Sequence, residues 1–173
     1  MLFRSKMKNK VLYLILLLCS GVGGAVWMAH LCERALINEN KRAERYVQNF
    51  NLGCDWIRIL QDGRGIKEYF EKYPTNSVAI YGMGELGKCL KEALQKAGVP
   101  VAYLIDRDKK KWCGDIPAFD VQDKLPEVER IIVTPIWDYD NIKEEIDNKI
   151  KTEVVSLKMV IEEILKEDLK GEL

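Results

Sequence analysis

The sequence predicts an α/β fold: a short parallel sheet of about four strands with flanking helices, preceded by an N-terminal transmembrane helix and a helical stalk. Three observations carry this reading. Short apolar runs recur at Val78-Ala79-Ile80, Val101–Ile105, Ile131–Thr134 and Val154-Val155, as expected of strands covered on both faces. Between them apolar residues return at helical spacing. The first run passes directly into Gly82-x-Gly84-x-x-Gly87, and that glycine pattern opens a helix.

A strand, a glycine turn and a helix in that order present backbone N–H groups to a phosphate. Gly82 supplies the tight turn, Gly84 admits a ligand close to the backbone, and Gly87 lets the helix sit against the sheet. Leu86, Leu90, Ala93 and Ala97 form the apolar face of that helix, and Gly98 stops it. The next strand, Val101–Ile105, ends at Asp106, 19 residues beyond Gly87, where an acidic group accepts hydrogen bonds from a ribose. The expected fold is therefore Rossmann-like. Its candidate cofactor-binding residues are Gly82, Met83, Gly84, Glu85, Leu86, Gly87, Asp106, Arg107 and Thr134, the last at the carboxyl edge of a strand. Glu85 puts negative charge in the first helical turn, so its side chain must point away from an anion; otherwise it serves only the helix dipole. Asp106 is alternatively a strand-end turn residue, and Arg107 either meets a 2′-phosphate or faces water.

The remaining elements follow from spacing and punctuation. Asp62-Gly63-Arg64-Gly65 makes a turn, and Ile66, Tyr69 and Phe70 mark one face of a short helix closed by Tyr73-Pro74. Asp115–Phe119 offers a short edge segment. Ile142, Ile146 and Ile150 define a helix, and Leu157, Val160, Ile161, Ile164 and Leu165 a closing helix capped by Ser156.

Upstream, no charge occurs from Val11 to Cys32, a length that spans about 30 Å as a helix. The expected organisation is a basic tail over 1–10, a transmembrane helix over 11–32, a helical stalk over 33–61, a short helix and turn over 62–75, the Rossmann-like domain over 76–166 and a polar tail over 167–173. A cleaved signal peptide is the competing reading of the apolar stretch, with small residues at Gly23 and Ala25. Basic residues flank the span on both sides, so charge bias does not orient it unless translation begins at Met7. Because nucleotide cofactors are cytoplasmic, the expected location is the cell membrane, single-pass, with the soluble domain in the cytoplasm. In the stalk Leu36, Asn40, Ala43, Val47, Phe50, Cys54 and Ile57 alternate by four and three. This spacing reads either as a parallel coiled coil with Asn40 setting register, giving a homodimer through residues 33–60, or as an amphipathic helix on its own domain.

Composition narrows the chemistry. Lys and Arg (27) balance Asp and Glu (27), which leaves no basic footprint for nucleic acid. The single histidine, His30, and five cysteines without a C-x-x-C pair speak against a metal site. Tyr139 and Lys143 share the Y-x-x-x-K spacing of short-chain dehydrogenases, but too soon after the glycine motif. Cys113 has no histidine in the soluble portion to activate it. No catalytic residue is assigned.

The segment from Trp56 through Ile164, with IKEYF, VAIYGMGELGK, AYLIDRD, IIVTPIWDYDNIKEEI and VVSLKMVIEEI, resembles a group of uncharacterised bacterial Rossmann-like domains associated with cell-surface polysaccharide biosynthesis. Such domains stand alone, follow a membrane anchor or are appended to sugar-modifying enzymes. The resemblance implies a membrane-anchored accessory or regulatory protein whose head binds NAD or NADP, or alternatively a nucleotide sugar, beside polysaccharide-biosynthesis enzymes. Its rivals are an NAD(P)-dependent oxidoreductase or sugar-nucleotide-modifying enzyme, and a non-binding structural or dimerisation module.

Overall fold

The computed structural model describes residues 2–108, 112 and 114–166, with side chains from residue 23 onward. Two compact units make up the chain, Met1–Tyr46 and Val47–Leu173. A single helix, α1 (Leu2–Gln61), supplies all the structure described in the first unit and enters the second. Then follow α2 (Ile66–Lys72), β1 (Val78–Tyr81), α3 (Glu85–Lys96), β2 (Val101–Ile105), β3 (Ala118–Phe119), β4 (Arg130–Val133), a 3-10 turn at Ile136–Asp138, α4 (Tyr139–Asp147), β5 (Glu153–Ser156) and α5 (Leu157–Lys166).

The five strands are all parallel, in the order β3-β2-β1-β4-β5. That order is doubly wound: the chain moves outward first to one side of β1 and then to the other. Alternate side chains on each strand serve opposite faces. Val78, Ile80, Leu104, Ile132 and Val155 meet α2, α3, α5 and the end of α1, whereas Ala79, Tyr81, Tyr103, Ile105, Ile131 and Val133 meet α4 and the segment 121–128. The sheet therefore forms the middle of three layers, and β1, β4 and the last three residues of β2 are buried.

Local signals set the element ends. Gly98 has φ +73°, and the bonds Val99 N–H to Leu94 O and Gly98 N–H to Gln95 O close α3 in a left-handed cap. Ser156 Oγ accepts the Met159 N–H at 3.1 Å and so starts α5. At the opposite edge Arg130, buried in β4, pairs with Glu153 and donates to the Tyr73 carbonyl, tying β4, β5 and α2 together.

Two expectations are corrected. The sheet has five strands rather than about four, because Ala118–Phe119 pairs with Leu104–Ile105 along the edge. Two residues suffice there because β2 supplies the partner groups: Leu104 N–H binds Pro117 O and Asp106 N–H binds Phe119 O. The transmembrane helix expected over 11–32 is also corrected, since among the described residues no helix is long and apolar enough to cross a membrane. The side chains of 11–22 lie outside the described residues. The remaining Gly23–Cys32 is half of the roughly 20 residues a span needs before Glu33 and Arg34 introduce charge. In the end of α1, Leu52, Trp56 and Ile59 face the core, whereas Ile57 and Leu60 do not.

Tyr103 offers a pH-dependent check of the layer that contains α4. Its ring is buried against Phe119, its hydroxyl donates to Pro126 O at 2.8 Å, and burial pushes its pKa up to about 12. An unfolded tyrosine ionises near 10, so this stabilisation is complete below pH 10 and is lost as pH rises through the folded value. Urea unfolding should show a fall of roughly 2 to 3 kcal/mol across that window. Tyr103→Phe should be less stable by about 1 kcal/mol at neutral pH and flatter above pH 10.

Candidate functional site

The chain reverses its winding between β1 and β4, and open α/β sheets bind ligands beyond the carboxyl ends of strands at such a point. The loops after β1, β2 and β4 meet there. Gly82 has φ +88°, a left-handed conformation, and its N–H binds Ile105 O across the sheet. A Cβ at Gly82 would stand 2.8 Å from both Pro135 Cδ and Thr134 Oγ1. Thr134 is buried and its hydroxyl donates toward Gly82 O at 2.8 Å and Tyr81 O at 3.1 Å. The floor of the crevice is therefore filled by the chain itself, and Thr134 braces the turn from beneath.

Above that floor the turn is open. Gly84 precedes the first residue of α3, no side chain among the described residues caps it, and a Cβ on Gly84 would meet nothing within 4 Å. The first N–H groups of a helix lack intrahelical partners, and the 12 residues of α3 carry a full macrodipole. Glu85 stands 88% exposed with its carboxylate 2.7 Å from Lys88 Nζ, directed into solvent along the helix surface. That bond raises the Lys88 pKa. Gly87 is the opposite case from Gly84: its Cβ would lie 2.0 Å from the Gly82 carbonyl oxygen. Leu86 and Met83 pack partly buried against the core.

Asp106 joins the two loops. One carboxylate oxygen accepts the Met83 N–H at 2.8 Å, and the other accepts the Asp108 N–H at 2.8 Å. Each oxygen keeps a second lone pair, so ribose hydroxyls can still donate to it. Arg107 reaches across the sheet edge toward the β4 side, 3.8 Å from Asp138. Beneath it the Tyr81 hydroxyl is buried, facing the Arg107 guanidinium. Burial raises the Tyr81 pKa, against the lowering effect of Arg107. Of the nine predicted contact residues, Gly82, Met83 and Gly84 lie in the turn after β1, Glu85, Leu86 and Gly87 in the first turn of α3, Asp106 and Arg107 after β2, and Thr134 after β4. Tyr81 belongs to the same edge and escaped the sequence reading; Pro135 and Asp138 follow Thr134 at the carboxyl edge expected from the sequence, and the strand order brings them beside Gly82 and Arg107.

No protein-family model, curated protein or solved structure matches the chain. The geometry alone carries the argument.

Acid–base chemistry finds little support. The Tyr139 hydroxyl donates to Val154 O at 2.9 Å, and Lys143 is held by Asp147 at 2.7 Å. Burial raises the Tyr139 pKa and outweighs the lowering by Lys143, the reverse of what a catalytic phenol needs. Among the described residues no group of His, Cys, Asp and Glu could hold a metal. Cys113 lies outside the described residues.

Gly87 and Gly84 should separate cleanly in unfolding experiments. Gly87→Ala forces the helix away from the Gly82 carbonyl and should lose roughly 1 to 3 kcal/mol or more, as overpacking does. Gly84→Ala has φ −67° and open space, and should stay within about 0.5 kcal/mol of the parent.

Proposed function

We propose that the Rossmann-like unit binds a nucleotide ligand bearing a diphosphate, NAD(P) or a nucleotide sugar, and that the protein is a non-catalytic accessory or regulatory component. The observation that carries the reading is the uncapped start of α3 at an unobstructed Gly84, beside Asp106 at the end of β2. The diphosphate takes the free amides of the first turn, where the helix dipole favours negative charge. Asp106 receives the ribose hydroxyls. Arg107 meets a second phosphate by exchanging its long contact with Asp138. The link to bacterial surface-polysaccharide biosynthesis comes from the sequence resemblance, and a cytoplasmic location follows from the ligand class.

Against an oxidoreductase stands the engagement of Tyr139 and Lys143 in structural bonds. The filled floor between Gly82 and Pro135 favours a purely structural module only if the amides above it also fail to bind.

Thermal shift against NAD, NADP and UDP-sugars tests the proposal. A ligand at a hundredfold excess over its Kd should stabilise the protein by about 2.7 kcal/mol, several degrees in Tm. Gly84→Val, which adds bulk at the backbone approach, should abolish the shift measured against the variant's own unliganded Tm. No shift with any ligand, or one that survives Gly84→Val, overturns the assignment.

A further inference from the structure

The end of α1 presents two apolar faces, and the core uses one of them. Leu52, Trp56 and Ile59 are buried in the domain. Val47, Phe50 and Ile57 are 58%, 71% and 55% exposed, with Cys54 half-buried between them. At 100° per residue the mean directions of the two sets differ by roughly 170°. An amphipathic helix that only served its own domain would be polar on that far side.

The exposed set is also periodic in a way the buried set does not require. Its spacing of three and four repeats every seven residues, and in sequence it continues upstream through Ala43, Asn40 and Leu36, each of them exposed. This assigns Leu36, Ala43, Phe50 and Ile57 to d positions, and Asn40, Val47 and Cys54 to a positions. A period of 3.5 is the signature of a partner helix, because it keeps one seam facing that partner along the supercoil.

We infer that this face docks a second copy of the chain, in a parallel coiled coil in register. Three arguments select that occupant. An identical chain brings the identical heptad, so every knob has its hole by two-fold symmetry. In register, Asn40 meets its counterpart at an a layer, the arrangement in which a lone polar residue pairs with itself and fixes alignment. The area suffices: Val47, Phe50, Ile57 and the neighbouring Leu60, itself 58% exposed, offer on the order of 400 Å² of apolar surface. With Leu36 and Ala43 on the same helix two copies offer about 1,000 Å², the area a specific interface has to reach. Beside Ile57 and Leu60 a mostly apolar groove of about 590 Å³, walled by Trp56, Leu86, Ala93 and Ala97, gives the partner room to settle at the domain end of the seam.

Sedimentation equilibrium of the full chain tests this. The parent should have the mass of a dimer. Phe50→Glu and Val47→Glu should each shift the mass to that of a monomer with an unchanged circular dichroism spectrum, because both side chains lie outside the core. Mild oxidation of a variant in which Cys19, Cys32, Cys89 and Cys113 are replaced by serine should link two chains through Cys54, and adding Cys54→Ser should remove the cross-link. A parent that stays monomeric over a wide concentration range, a dimer that survives both glutamate variants, or association only with an unrelated protein overturns the inference. Failure of Cys54 to cross-link in that single-cysteine background overturns the parallel register.

Discussion

The approach of α3 to the carbonyl of Gly82 governs the rest of the head. A side chain at Gly87 would occupy the space of that oxygen, so the helix can begin where it does only because residue 87 has no Cβ. Moving α3 outward by even one carbon width would draw Leu90 and Leu94 from the core and lift the first-turn amides from the sheet edge. Gly82 answers the same constraint from the strand side. Its positive φ turns β1 directly into the helix, and Thr134 and Pro135 fit where its Cβ would be.

From this contact the elements of the edge follow in order. Thr134 is consumed in holding the turn, which leaves the amides above it as the available polar groups. Asp106 then couples the turn to the end of β2 through the Met83 N–H, so the strand that would carry the ribose is tied to the loop that would carry the phosphates. Arg107 and Asp138 add a charged connection over the reversal in strand order, with the Tyr81 hydroxyl buried below. The uncapped first turn of α3 leaves backbone donors at this edge, while the hydroxyl of Tyr139 is taken up by Val154 and the amine of Lys143 by Asp147.

What could be read in advance depended on range. The glycine turn, the left-handed stop at Gly98, the Ser156 cap and the run ending at Asp106 are written within a few residues each, and the structure has them in those places. The fifth strand lies within the edge segment read at Asp115–Phe119, but Ala118–Phe119 is too short for a periodicity and acquires its bonds from β2, so the strand count fell short. The Tyr139 bond to Val154 spans a helix, and the Arg107–Asp138 contact requires the β2 and β4 loops to be neighbours. The apolar run before Cys32 suggested a membrane span, but among the described residues Glu33 and Arg34 bring charge too soon after Gly23 for one. In α1 the spacing of apolar residues was legible, but which of two opposed faces the domain claims was decided by packing at Leu52, Trp56 and Ile59.

The free amides at the start of α3 are the central claim, and resolved backbone N–H resonances report on them directly. During titration of the isotopically labelled protein with NAD and with a UDP-sugar, the signals of Gly84, Glu85, Leu86 and Gly87 should move together and saturate with one of these ligands, followed by those of Met83 and Asp108 as Asp106 adjusts. If those amides stay fixed while either ligand binds, or if the responding signals map to another part of the molecule, the account of this edge is wrong.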